Sequence, residues 1–231
     1  MLAGLGNSLV TESREKNMQD LKCISILFTW VVFTCVCCFS GLFQPFMELW
    51  MGQQLMLPDG MVHSFCVYFI VYEYTRLFNT FKNAAGEWHQ DRFRPLISAV
   101  LNLTLNLLLV QVWGLYGILW SSIAALVVVE LPWLLRNLFS TVYHGESATA
   151  YCTMLLPYLL GGCLCWAGVW FLTGLIRCAL LLRVLCCGMV SALLPVAVYP
   201  LLFRKKPEFL DGVALLDRTT RGKLHLTRLI H

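Results

Sequence analysis

Residues 95–139 read PLISAVLNLTLNLLLVQVWGLYGILWSSIAALVVVELPWLLRNLF, and only Glu130 and Arg136 in this stretch carry charge. Two apolar runs, Pro95–Val112 and Ile118–Phe139, flank the Trp-Gly-Leu-Tyr-Gly of residues 113–117. A helix needs about 20 mostly apolar residues to cross the hydrocarbon core, because each residue rises about 1.5 Å and no backbone group can be left unpaired there. Both runs meet that requirement. Pro95 suits a first helical turn, where its missing N–H costs nothing, and Gly114 and Gly117 supply a tight reversal. The stretch therefore predicts an antiparallel pair of transmembrane helices.

Outward from this hairpin, four more runs have the same character: Cys23–Met47, Met61–Phe81, Ala150–Thr173 and Leu181–Phe203. A polar turn with Glu48, Pro58, Asp59 and Gly60 separates the first two, and Arg204, Lys205, Lys206 and Pro207 stop the last. The expected fold is an all-α membrane protein of about six transmembrane helices. It has a cytoplasmic N-terminal segment (residues 1–22), a six-helix domain (23–203) and a cytoplasmic tail (204–231). The tail, with mixed charges and leucines, is read as loose rather than as a surface amphipathic segment.

Composition agrees. Of 231 residues, 58% are hydrophobic and 13% charged, and the mean hydropathy is +0.70. That excludes an ordinary water-soluble domain. The net charge of +4 is spread over short segments without a basic helix, so nucleic acid is not expected as a partner. Most of the 11 cysteines lie inside apolar runs, including the Cys35/Cys38 and Cys163/Cys165 pairs, and read as small buried or lipid-facing residues rather than as disulfides or metal ligands. Met1 to Asp20 has no apolar run and no cleavage site of a signal peptide.

Lysine and arginine set the orientation. Arg14, Lys16 and Lys22, then Lys82, Arg92 and Arg94, then Arg136, then the tail from Arg204 through Arg218, Arg221, Lys223 and Arg228 fall on one side, which is cytoplasmic. The opposite loops hold Arg177, with Arg183 placed to snorkel to the outer interface. Both termini are thus expected in the cytoplasm.

Ionisable groups at membrane depth are costly and are functional suspects. Glu73 and Arg76, three apart on one helical face, either pair structurally or serve a substrate: Arg76 as the donor to a phosphate, Glu73 as an ion-coupling carboxylate. Glu130, just before Pro132, reads as an interfacial anchor. Asn102 and Asn106 share a face and are expected to bond to a neighbouring helix. The Asn102-Leu103-Thr104 glycosylation triplet lies inside a span and is discarded. Glu87, His89 and Asp91 read as a solvated loop rather than a metal site. No nucleophile elbow, phosphate-cradling glycine loop or HExxH is present, so no enzyme activity, cofactor or metal is expected.

Several ordered segments resemble the polysaccharide transporters, the Wzx-type flippases of the superfamily that also holds MATE-type multidrug exporters. They are Gly4–Val10 followed by Thr11-Glu12-Ser13, Phe43–Gly52, and above all Arg76–Pro95, with Phe81-Lys82-Asn83-Ala84-Ala85-Gly86 and Gln90-Asp91-Arg92-Phe93-Arg94-Pro95. Leu101-Asn102-Leu103 and Gly114–Ile118 continue the pattern to about Arg136; beyond it only hydrophobicity and a basic-then-Glu208-Phe209 ending match. The sequence departs in Ser121-Ser122, where the family usually has Gly-Thr, and in its many cysteines. The resemblance implies most of the C-terminal lobe of a MATE-like flippase without the N-terminal lobe. It implies movement of undecaprenyl-diphosphate-linked oligosaccharide across the bacterial inner membrane, with Arg76, Asn83 and Arg92 as substrate-binding residues and Glu73 as the ion-coupling candidate. Expected partners are the lipid-linked oligosaccharide, membrane lipids and a separate N-terminal lobe. Such transporters usually have about twelve to fourteen helices in two lobes that rock against each other, so the chain is expected to be a fragment or one part of a split protein. The alternatives are an ion-coupled multidrug exporter and a non-transporting truncated membrane protein.

The orientation is open to cysteine labelling. With native cysteines removed, an impermeant reagent applied outside should modify Gln53→Cys and miss Glu87→Cys. Equal labelling of both would mean that the Met61–Phe81 segment does not cross.

Overall fold

The computed structural model describes residues Leu2 to Thr219, in which every regular element is helical. In chain order these are α1 (Leu2–Thr11), α2 (Arg14–Met51), α3 (Asp59–Ala84), α4 (Arg94–Trp113), α5 (Leu115–Ala125), α6 (Leu131–Asn137), α7 (Ala148–Leu175), α8 (Leu180–Phe203) and α9 (Pro207–Thr219). A 3₁₀ turn at His89–Asp91 leads into α4, and π turns at Leu126–Glu130 and Leu138–Val142 make α5 and α6 one continuous rod.

Five helical segments are long and apolar enough to cross a membrane: Arg14–Met51, His89–Trp113, Leu115–Val142, Ala148–Leu175 and Leu180–Phe203. The chain is thus an all-α, multi-pass membrane protein. The expected sixth span, Met61–Phe81, is helical within α3 but is not among the five. Its polar content explains this, since His63, Glu73, Arg76 and the hydroxyls of Tyr68, Tyr72 and Tyr74 dilute the apolar residues. The first long helix also starts at Arg14, well before the expected Cys23.

The chain divides into two compact units: residues up to Met18 with His63–Tyr151, and Gln19–Val62 with the residues from Cys152 onward. In the first, α4 and the α5–α6 rod form the hairpin expected from Trp113–Gly117. Gly114 reverses the chain at φ +55°, a conformation that only glycine adopts cheaply. At Gly117 a side chain would overlap the Leu109 backbone, so the two helices meet main chain to main chain. The asparagine expectation is met at Asn102, whose Oδ1 accepts from the Ser121 and Ser122 hydroxyls at 3.3 and 3.4 Å. Both hydroxyls also donate to the Ile118 carbonyl, at 2.8 and 3.2 Å, so the Asn102 oxygen shares their protons with the helix backbone. Leu96, Val100, Leu103 and Leu107 run down the opposite side of α4 and are exposed, as a lipid-facing stripe would be. Phe78, Phe139 and Tyr151 close the aromatic interior of this unit.

In the second unit α2, α7, α8 and α9 pack around an aromatic cage. Trp30 stacks on Tyr199 at 6.1 Å, Tyr199 meets Phe203 at 4.8 Å, and Tyr158 meets Phe203 at 4.5 Å. The Trp30 indole donates to the Pro195 carbonyl at 3.1 Å. Glycines permit this closeness: a side chain at Gly162 would overlap the Phe33 ring, and one at Gly161 the Phe203 ring. At the far end Arg183 pairs with Glu48 at 3.4 Å. No disulfide joins any of the eleven cysteines.

The tail expectation needs correction. Residues Pro207–Thr219 form α9, whose Phe209 and Val213, four apart on one face, are fully buried. Phe209 closes the cage against Trp30, Tyr199 and Phe203, and the Gln19 side chain donates to Asp211 at 3.0 Å. The apolar i, i+4 pair makes this stretch a docked helix rather than a loose chain. The basic residues Arg221, Lys223 and Arg228 lie outside the described residues.

Truncating the buried ring should free α9. Loss of a buried phenylalanine costs about 3 kcal/mol, so Phe209→Ala should raise opening of this helix by about two orders of magnitude. Tryptic cleavage at Arg204–Lys206 should accelerate accordingly; an unchanged rate would mean that Phe209 does not hold the helix down.

Candidate functional site

Where α3 turns into α4, the helix-breaking Gly86, at φ +75°, ends α3 and the His89–Asp91 turn folds back against it. This brings four charged side chains together in a dry position: Lys82, Asp91, Arg94 and Glu130 are each more than nine-tenths buried. Asp91 is the hub. Its Oδ2 accepts from Lys82 Nζ at 2.5 Å and from Arg94 Nη2 at 2.8 Å, and its Oδ1 accepts from Arg94 Nε at 2.7 Å. Arg94 also donates from Nη2 to Asn79 Oδ1 at 3.0 Å, and its Nη1 pairs with Glu130. The Lys82 ammonium sits 5.0 Å from the Trp88 ring, a cation–π contact.

Two cations and two anions cancel within this cluster. Burying charge costs several kcal/mol per ion unless geometry and hydrogen bonds compensate, and here the forked guanidinium and both Asp91 oxygens are fully engaged. The cluster links α3, the His89–Asp91 turn, α4 and the end of the α5–α6 rod. The π turn at Leu126–Glu130 serves it: Pro132 has no N–H to continue the regular ladder, and the widened turn ends at Glu130, whose carboxylate reaches Arg94.

Two sequence expectations change here. Asp91 does not belong to a solvated loop; it is the buried centre of the network, and Glu87 and His89 are not its partners. Glu130 is not a free-standing interfacial anchor but the acid that neutralises Arg94.

The residues expected to bind substrate lie elsewhere. Arg76 is exposed on α3 and donates from Nη1 to Glu73 Oε1 at 3.0 Å, so the anticipated i, i+3 pair forms. Asn83 lies two turns further along α3, with its Oδ1 buried and unpartnered. Arg92 is exposed, its guanidinium 4.6 Å from the Phe93 ring. No hydrogen bond or ion pair joins Arg76, Asn83 and Arg92 to one another among the described residues. Comparison with protein-family models, curated proteins and solved structures yields no match.

The network was only partly visible beforehand. The three-residue step from Asp91 to Arg94 is an ordinary helical-pair spacing, but Lys82 and Glu130 join only through the fold.

Removing one partner of a buried pair costs about 3–5 kcal/mol because it strands the other charge. Arg94→Met should therefore lower the thermal unfolding transition sharply, and adding Glu130→Leu should restore part of the loss. Strictly additive losses would show that Arg94 and Glu130 are not coupled.

Proposed function

We propose that the chain is a membrane component of lipid-linked oligosaccharide translocation, a flippase lobe for undecaprenyl-diphosphate-linked sugars in the bacterial inner membrane. The carrying observation is how the cations of Arg76–Pro95, the stretch most like the flippases, are divided. Lys82 and Arg94 are engaged in the internal network, while Arg76 and Arg92 stand exposed. An arginine has five N–H donors, and only one of them goes to Glu73. The remaining donors match a diphosphate, whose charge exceeds that of a single carboxylate.

The same pair weighs against an ion-coupled exporter. That mechanism needs an acid free to bind a cation, and Glu73 already has a counter-charge. In this reading α3 also crosses the bilayer, with Glu73 and Arg76 toward an aqueous path. Its 26 residues rise about 39 Å, more than the roughly 30 Å hydrocarbon core, and a sixth crossing returns the C-terminus to the cytoplasmic side. A second lobe completes the path, because alternating access requires two bodies.

The test is binding by the purified chain in nanodiscs. A fluorescent undecaprenyl-diphosphate-linked sugar should bind in preference to undecaprenol, and Arg76→Ala should weaken the diphosphate ligand about tenfold, the equivalent of one charge-assisted hydrogen bond. Equal binding of the two lipids by the unmodified chain would remove the proposal.

A further inference from the structure

Beside the buried network, in the first compact unit, lies an open groove of about 660 Å³ lined by Gln90, Ile97, Val128, Val129, Pro132, Trp133, Arg136, Asn137 and Ser140. Its composition is graded. Val128, Pro132, Arg136 and Ser140 follow one another at intervals of four along the α5–α6 rod, with Val129, Trp133 and Asn137 on the adjoining row, so the groove follows the helix for roughly 18 Å. One end is apolar, built from Ile97, Val128 and Val129. The other is polar, built from Arg136, Asn137 and Ser140.

The polar end offers donors without an anionic acceptor. Arg136 makes no ion pair among the described residues, and the acid nearest to it in sequence, Glu130, is taken by Arg94. Among the described residues no carboxylate lines the groove. Asn137 is more than nine-tenths buried, yet its Nδ2 has no hydrogen-bond partner. A buried donor left unsatisfied costs about 1–3 kcal/mol, and an acceptor entering the groove beside Asn137 would remove that cost. The Trp133 ring is fixed by donation of its indole N–H to the Gln90 carbonyl at 3.2 Å, which ties the groove to the His89–Asp91 turn at the membrane-interface end of the hairpin.

We infer that this groove is a binding site for an anionic glycerophospholipid: the phosphate is held by Arg136 and Asn137, and an acyl chain lies along Val129, Val128 and Ile97. The order of polarity along the helix matches that of a lipid, headgroup at the interface and chain toward the bilayer centre. The unbalanced arginine selects negative charge. A free phosphate would satisfy the donors but leave the apolar half of the groove unused, whereas a lipid occupies both. The site is separate from Arg76 and does not depend on which lipid-linked substrate, if any, is moved.

The experiment is native mass spectrometry of the full chain released from detergent with equimolar dioleoylphosphatidylglycerol and dioleoylphosphatidylcholine. The unmodified chain should retain one phosphatidylglycerol with about tenfold preference. Arg136→Ala should abolish the preference, while Arg14→Ala, at another exposed arginine, should keep it. Val128→Trp, at an exposed position where a large ring fills the apolar half without disturbing the core, should reduce retention of the lipid even with Arg136 intact. Equal retention of the two lipids, an Arg136→Ala protein that still prefers phosphatidylglycerol, or the same loss in Arg14→Ala would overturn the site. Displacement of the lipid by millimolar inorganic phosphate would reassign it to free phosphate.

Discussion

The Asp91 carboxylate is the point on which the first compact unit depends. It accepts from Lys82 at the end of α3 and from Arg94 at the start of α4, and through Arg94 it is linked to Glu130 in the α5–α6 rod. Three separated parts of the chain are thereby fixed around one anion in a dry site, where each hydrogen bond is stronger than in water and each missing one more costly. The neutrality of the set has a second effect. It removes two cations from the pool that can meet a ligand, and leaves Arg76, Arg92 and Arg136 exposed.

The second compact unit is held differently. Its helices meet through aromatic rings and through glycines that let those rings approach, with Phe33 over Gly162 and Phe203 over Gly161. In hydrocarbon, burying apolar surface gives little net drive, because lipid tails are as apolar as leucine, and close packing has to supply the association. The Trp30–Tyr199–Phe203–Phe209 cage is such packing, and it extends past the last candidate span into α9.

How much of this was legible in the sequence follows from the range of each interaction. The long apolar runs and the Trp113–Gly117 reversal are local, and they reappear as helices and a hairpin. Glu73 with Arg76, three residues apart, is local as well. The polar residues of α3 were equally visible, yet their collective effect in making that helix less apolar than its neighbours was underestimated. Phe209 and Val213 carried a signal in their four-residue spacing that the surrounding charges masked. In the Asp91 cluster only the step from Asp91 to Arg94 is local; Lys82 and Glu130 there, and Gln90 and Ile97 at the Asn137 groove, come from segments joined only by tertiary structure. A buried aspartate in a loop that also holds Glu87 and His89 looks, in one dimension, like any other solvated acid.

The bond from the serine pair to Asn102 has a bearing on how the protein is made. Donor and acceptor lie within a single helical hairpin, 19 and 20 residues apart. An amide that left the translocation channel alone would meet lipid with nothing to bond to. When the two helices partition sideways as a unit, Gly117 against the Leu109 backbone, the amide oxygen already faces two hydroxyls on arrival. The order of synthesis, α4 first and the serines of α5 directly after, therefore delivers the amide oxygen and the hydroxyls it faces to the bilayer together.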